Sequence, residues 1–192
     1  MEKDSEFIND IKQAAETLKK GGVILYPTDT IWGIGCDATN PEAVRRVFEI
    51  KHRADSKALI TLVASEAMLE RHVEHVPDIA WELIDVAVHP LTIVYDHGVG
   101  VAPELLAPDG SIGIRLTHER YSAALCRRIG RPIVSTSANI SGAPAAACFS
   151  EISPEILDAV DYIASYRRGD KTPAAPSNVI KLTDSGVVTV IR

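Results

Sequence analysis

Apolar positions along the chain come in short blocks whose period changes from block to block. Ile8, Ile11, Ala15 and Leu18 lie near a helical repeat, which predicts a helix over 8–19 that Gly21-Gly22 stops. Val23 to Tyr26 is then a continuous apolar run of strand length, ended by Pro27. The stretch that follows mixes turn formers with apolar residues. Asn40-Pro41 reads as an N-cap and first helical position for a helix running to about Ile50.

Strand signals recur at 58–63, 90–95, 111–116 and 132–135, each bounded by helical or turn-rich sequence. Helices are expected around 66–72 and 78–87, from a Thr117 cap to about Ile129, and from Ser153-Pro154 to about Tyr162. Val179 to Leu182 and Val187 to Ile191, joined by Thr183-Asp184-Ser185-Gly186, predict a closing hairpin. Alternating strands and helices predict an α/β protein, and the hairpin with its unequal connections predicts a mixed parallel/antiparallel sheet. At 192 residues the expectation is a single domain over 1–192. No repeat or heptad is present, and Ala143 to Ala147 reads as a surface loop.

Composition narrows the class. With 46% apolar and 24% charged residues the chain fits a soluble globular protein, and its apolar runs are too short to cross a bilayer. The opening MEKDSEFINDIKQ is polar and acidic, unlike a secretion signal, so a cytoplasmic location without membrane contact is expected. Cys36, Cys126 and Cys148 are odd in number and widely spaced, which fits packing groups and neither a disulfide framework nor a zinc site. The six histidines form no HExxH pattern, so no protein-held metal is expected. A net charge of −6 argues against a dedicated tRNA or DNA binder but permits a local phosphate pocket.

Three places hold candidate chemistry. Tyr26-Pro27-Thr28-Asp29-Thr30, followed by Gly33 and Gly35, ends a buried strand in small polar residues, where a nucleotide or amino acid could be gripped or the chain could simply turn. It is neither a GxxxxGK[ST] nor a GxGxxG loop. Lys51-His52-Arg53 closes the helix opened by Pro41 and reads either as a surface cluster compensating the helix dipole or as a clamp on carboxylate and phosphate. Ser135-Thr136-Ser137-Ala138-Asn139-Ile140-Ser141-Gly142 follows a strand and reads either as a polar turn or as a set of phosphate donors. Arg115, Ser177-Asn178 and Arg192 are weaker candidates taken singly.

In their order these segments resemble the YrdC/Sua5 family, the threonylcarbamoyl-AMP synthases, in its short single-domain form. The resemblance rests on YPTDTIWGIG at 26–35, KHR at 51–53, IGIRL at 112–116 and PIVSTSANISG at 132–142. It implies a twisted mixed sheet with flanking helices around a deep cavity, and a nucleotidyltransferase that consumes L-threonine, bicarbonate and ATP. The product would be threonylcarbamoyl-AMP, whose threonylcarbamoyl group separate transferase partners pass to N6 of an adenosine in tRNA. Mg²⁺ would enter mainly on the ATP phosphates, and weak RNA or tRNA binding stays open.

The resemblance carries roles to particular residues. Lys51 and Arg53 match its charge clamp, and Ser137, Asn139, Arg115, Ser177 and Arg192 its nucleotide and phosphate contacts. Thr30, with Tyr26 and Thr28 shaping the same wall, matches its amino-acid end. Three segments depart from the family pattern: Ala54 stands where Pro usually follows K-x-R, His89-Pro90-Leu91-Thr92 replaces P-G-P-x-T, and 172–179 replaces a glycine-rich approach to S-T-V. The alternatives are a nucleotide- or RNA-binding accessory domain without turnover, or a carbamoyl-adenylate enzyme with another substrate.

Overall fold

A computed structural model describes residues 2–52, 59–172 and 175–192, with side chains from residue 4 onward. Helix α1 (Glu2–Lys19) starts well before the predicted residue 8 and buries Ile11, Ala14, Ala15 and Leu18. Ile8, assigned to the same stripe, stays 60% exposed. Strand β1 (Ile24–Tyr26) turns back through 27–32 into β2 (Gly33–Gly35), which the sequence pattern did not predict. Gly35 makes that pairing possible, because a Cβ there would lie 2.3 Å from the Val134 carbonyl oxygen and 2.6 Å from the Tyr26 ring.

Helix α2 (Pro41–Ile50) starts where predicted, with Asn40 Oδ1 accepting from the Glu42 and Ala43 amides at 3.0 and 3.2 Å. There follow β3 (Ile60–Val63), α3 (Glu66–Glu70), α4 (Asp78–Asp85), β4 (Leu91–Tyr95) and β5 (Ile112–Leu116). The chain closes through α5 (Arg120–Ile129), β6 (Ile133–Ser137), α6 (Pro154–Ala159), β7 (Tyr162–Ile163), β8 (Asn178–Leu182) and β9 (Val188–Val190). Ala58, expected to open the β3 strand, lies outside the described residues.

Two boundaries differ from expectation for identifiable reasons. Glu119 caps α5 in place of Thr117, its Oε2 accepting from the Tyr121 and Ser122 amides at 3.0 and 2.8 Å. Thr117 Oγ1 instead accepts from the Glu119 amide at 3.3 Å, one step earlier in the same turn. Helix α6 stops at Ala159, and Tyr162-Ile163 becomes an edge strand because it pairs in parallel with Ile24-Leu25, a partner distant in sequence.

Among the described residues the strands form one nine-stranded sheet in the order β7-β1-β2-β6-β3-β5-β4-β8-β9. The β1–β7, β3–β5 and β4–β8 pairs are parallel and the rest antiparallel, which is the mixed sheet expected. Cys36 and Cys126 are buried in its core and Cys148 partly so; burial pushes the Cys126 thiol up to about 12 and that of Cys36 up as well, so neither is primed as a nucleophile. No described helix is long and apolar enough to cross a membrane.

The sheet also buries Thr92, Arg115 and Ser135 at 1%, 2% and 6% exposure, with Ser177 at 3% where β8 begins. Unpaired burial of a polar group costs roughly 1–3 kcal/mol. A cluster of such groups on strands therefore marks a place where the core has been given up to another purpose.

Candidate active site

The purpose is a cavity of about 830 Å³ that these side chains line together with Thr30, Ser137 and Arg192. Its floor is a relay of hydroxyls and guanidinium groups carried on separate strands. Arg192 donates to the Ser177 carbonyl at 3.3 Å, and the Ser177 and Thr92 hydroxyls lie 2.8 Å apart. Arg115 reaches the Thr92 and Thr30 hydroxyls at 3.5 Å each, and one terminal nitrogen lies 2.9 Å from Asp29 Oδ1. Thr92 and Arg115 lie on the neighbouring strands β4 and β5 and Ser177 stands just before β8, whereas Thr30 is brought in by the β1–β2 loop and Arg192 follows β9.

The β1–β2 loop is shaped from within. Thr28 Oγ1 accepts from the Thr30 amide at 3.0 Å and donates to the Ile31 carbonyl at 2.8 Å, while Arg167 donates to the Thr28 carbonyl at 3.0 Å. Thr30 thereby reaches the large cavity, whereas Thr28 faces mainly a small adjoining recess that also holds Thr30 and Trp32. Tyr26 lines neither space. Its hydroxyl donates to the Val134 carbonyl at 3.0 Å, and burial pushes its phenol upward, so it braces β6 from the core.

Lys51, Ser137 and Asn139 do come together. Lys51 is 2% exposed, so the surface-cluster reading fails for it. Its ammonium donates to the Ser137 carbonyl, and to the Asn139 carbonyl at 2.7 Å, while Ser141 donates back to the Lys51 carbonyl at 2.9 Å. The Asn139 amide donates to the Ile140 and Ala143 carbonyls at 3.0 and 2.7 Å, which holds its own loop. Of the three, Ser137 lines the cavity. Arg53 lies outside the described residues. His52 is exposed, with a φ of 48° and its Nε2 3.4 Å from Glu155.

Two features escaped the sequence reading. Ala145 to Ala147, taken as a plain surface loop, forms a wall of the cavity, with Ala146 buried. Thr92 was noticed as part of His89-Pro90-Leu91-Thr92 but given no role, although its hydroxyl joins Ser177 to Arg115. Trp32 adds an apolar side, stacked obliquely on Phe149 with ring centres 4.9 Å apart. The space therefore offers hydroxyls and guanidinium groups for anionic oxygens beside apolar surface for a flat ring.

A family model described as Telomere recombination, covering Sua5, YciO and YrdC proteins, matches residues 16–192. The chain belongs to the Sua5/YciO/YrdC family. A threonylcarbamoyl-AMP synthase of Stenotrophomonas maltophilia is 34% identical over 170 residues, 86% of this chain and 91% of the relative. Its namesake from Idiomarina loihiensis is 33% identical over 174 residues, 89% of this chain and 92% of the relative.

Among solved structures of the family, P. abyssi Sua5 carrying H234A/Y235A superposes with a TM-score of 0.84 at 27% identity, over 95% of this chain and 55% of that one. E. coli YciO superposes with a TM-score of 0.81 at 28% identity, over 95% and 87% of the two chains. P. abyssi Sua5 complexed with L-threonine gives a TM-score of 0.77 at 28% identity, over 90% of this chain and 50% of that one. The chain thus spans about half the length of the P. abyssi protein. These likenesses support the mixed-sheet fold and the family expected from the motifs.

Proposed function

We propose that this chain condenses L-threonine, bicarbonate and ATP into threonylcarbamoyl-AMP, releasing pyrophosphate, and that residues 1–192 act as one catalytic domain. The observation that carries the reading is the meeting of Thr30, Arg115, Ser137, Ser177 and Arg192, drawn from distant parts of the sequence, around one cavity. At about 830 Å³ that cavity suits a nucleotide and an amino acid together. The name of the curated relatives and the L-threonine complex of a family member support the choice of substrates.

In this scheme the threonine nitrogen forms a bond to the carbon of bicarbonate, one carbon–oxygen bond breaks, and that oxygen leaves as water with the proton lost from nitrogen, giving a carbamate. A carbamate oxygen then forms a bond to the α-phosphorus of ATP, the bond to the bridging oxygen breaks, and pyrophosphate leaves with its electron pair. Attack of one anion on another is opposed by charge repulsion, so fixed cations and aligned donors contribute most of what the protein can supply. Arg115 with Thr30 binds the carboxylate end, Ser137 and Ser177 donate to phosphate oxygens, and Arg192 adds charge at the nucleotide end. Arg53 is proposed to complete the clamp.

Lys51 serves that clamp by holding the Ser137–Asn139 backbone. Mg²⁺ arrives as part of the ATP substrate; no cluster of three or more His, Cys, Asp or Glu suited to a metal occurs among the described residues. The product would go to separate transferase proteins that modify tRNA in the cytoplasm. Incubation with ATP, Mg²⁺, bicarbonate and L-threonine should yield threonylcarbamoyl-AMP and pyrophosphate. Pyrophosphate release that ignores threonine and bicarbonate would refute the proposal.

A further inference from the structure

Arg115 is a charged group held at 3% side-chain exposure, and its environment is incomplete. One terminal nitrogen forms an ion pair with Asp29 Oδ1 at 2.9 Å without hydrogen-bond alignment, so that Oδ1 and Arg115 Nε are both buried without a hydrogen-bond partner, and the Thr92 and Thr30 hydroxyls accept from the guanidinium at 3.5 Å. A guanidinium is a rigid planar fork of five N–H donors, so a carboxylate held against one terminal nitrogen biases the placement of the whole group by its charge. Asp29 does this from behind. It does not line the large cavity but lines a second recess of about 250 Å³, beside His89, His118 and Glu119.

We propose that Asp29 is the positioning residue of Arg115: it pins the guanidinium from outside the cavity so that the remaining donors meet an anionic oxygen of the substrate. The identity of that anion, the carboxylate of L-threonine, rests on the function proposed above; the pairing itself does not. Asp29 has two opposite effects on such a ligand. Its negative charge repels an anion, so loss of the charge alone would tighten binding. Its grip on Arg115 lowers the cost of ordering the fork, so loss of the grip weakens binding. Arg115 is buried and has few other holds, so the grip is the larger effect.

The test is a double-replacement cycle with Asp29→Ala, Asp29→Asn and Arg115→Met, read by calorimetric binding of L-threonine and, separately, of ATP. The expected result is a loss of L-threonine affinity of about tenfold or more in Asp29→Ala, within the scale of breaking a close buried charge pair. Asp29→Asn should fall between Asp29→Ala and the wild type. ATP affinity should change much less, whereas general damage to the fold would lower both. In the Arg115→Met background, Asp29→Ala should have no further effect. Tighter or unchanged threonine binding in Asp29→Ala overturns the assignment, as does a full further loss in the Arg115→Met background.

Should the wild-type protein bind no L-threonine, the proposed substrate is wrong, and the same cycle read by urea unfolding decides the pairing. Midpoint shifts well short of additive support it, and additive shifts overturn it.

Discussion

Lys51 and Arg115 are two cations buried to the same extent, each 2% exposed, and they are held in opposite ways. Lys51 donates to the Ser137 and Asn139 carbonyls of a single loop and, at 3.5 Å, to the Ser137 hydroxyl, so its charge holds that loop. Arg115 sits on a strand with an ion pair to Asp29 and hydrogen bonds of 3.5 Å to Thr92 and Thr30, and it lines the 830 Å³ cavity with Nε buried. Burying a charge costs several kcal/mol unless partners replace water. What replaces water differs between the two: backbone carbonyls at Lys51, and one carboxylate with two hydroxyls at Arg115. Equal burial therefore does not mean equal function; what matters is which donors remain after folding.

Arg115→Met is expected to have the largest effect, lowering threonine-dependent pyrophosphate release by roughly a hundredfold, the scale of a lost electrostatic donor. Circular dichroism should show the sheet retained. Wild-type turnover in this variant would erase the contrast. Lys51→Met should act first on stability, costing on the order of 3 kcal/mol in urea unfolding because two buried carbonyls lose a charged donor. An unchanged midpoint with activity lost would mean that Lys51 reaches the substrate itself.

Tyr26→Phe sharpens the same distinction with an uncharged group. It should cost about 1 kcal/mol through the lost bond to Val134 and leave the threonine KM unchanged. A raised KM would return Tyr26 to the substrate wall. Lys181 shows the surface limit, since it is one-third exposed and pairs with Asp109 and Asp96. Hydrogen bonds from Ser111, with Lys181 adding to them, hold the Asp109 carboxyl at about 2. Its folded pKa is depressed, so its contribution is present above the ordinary carboxylate value and lost as pH falls toward about 2. Asp109→Asn should slightly flatten the acid limb of a stability–pH curve, the smallest effect of the four because the group is exposed.

Most of the fold was legible where elements were long or carried a chemical marker. Asn40-Pro41 started a helix as predicted because the cap is a local hydrogen bond that needs only adjacent residues. Strand β2 and strand β7 escape the sequence pattern because such short strands have no period to read, and each also pairs with a strand far away in sequence, β2 with β6 and β7 with β1. The site divides along the same line. Thr30, Arg115, Ser137, Ser177 and Arg192 were picked out by motif and meet around the cavity, whereas Tyr26 lies in the core and Thr28 beside the small recess. Thr92 and the Ala145 to Ala147 wall needed the strands to be assembled before their positions meant anything.

Short apolar runs and helix caps determined the mixed α/β class, and the resemblance of the ordered motifs at 26–35, 51–53, 112–116 and 132–142 pointed to the family, because each of these signals depends on neighbours along the chain. Which charges lie beside the cavity and which hold backbone was decided only by the sheet. Strand pairing sets residues remote in sequence a few ångströms apart, and at that distance a partner's position decides whether a donor is already satisfied. Lys51 and Arg115 are both basic residues in polar motifs when read in order; pairing across the fold set one against backbone carbonyls and the other against a carboxylate beside the cavity.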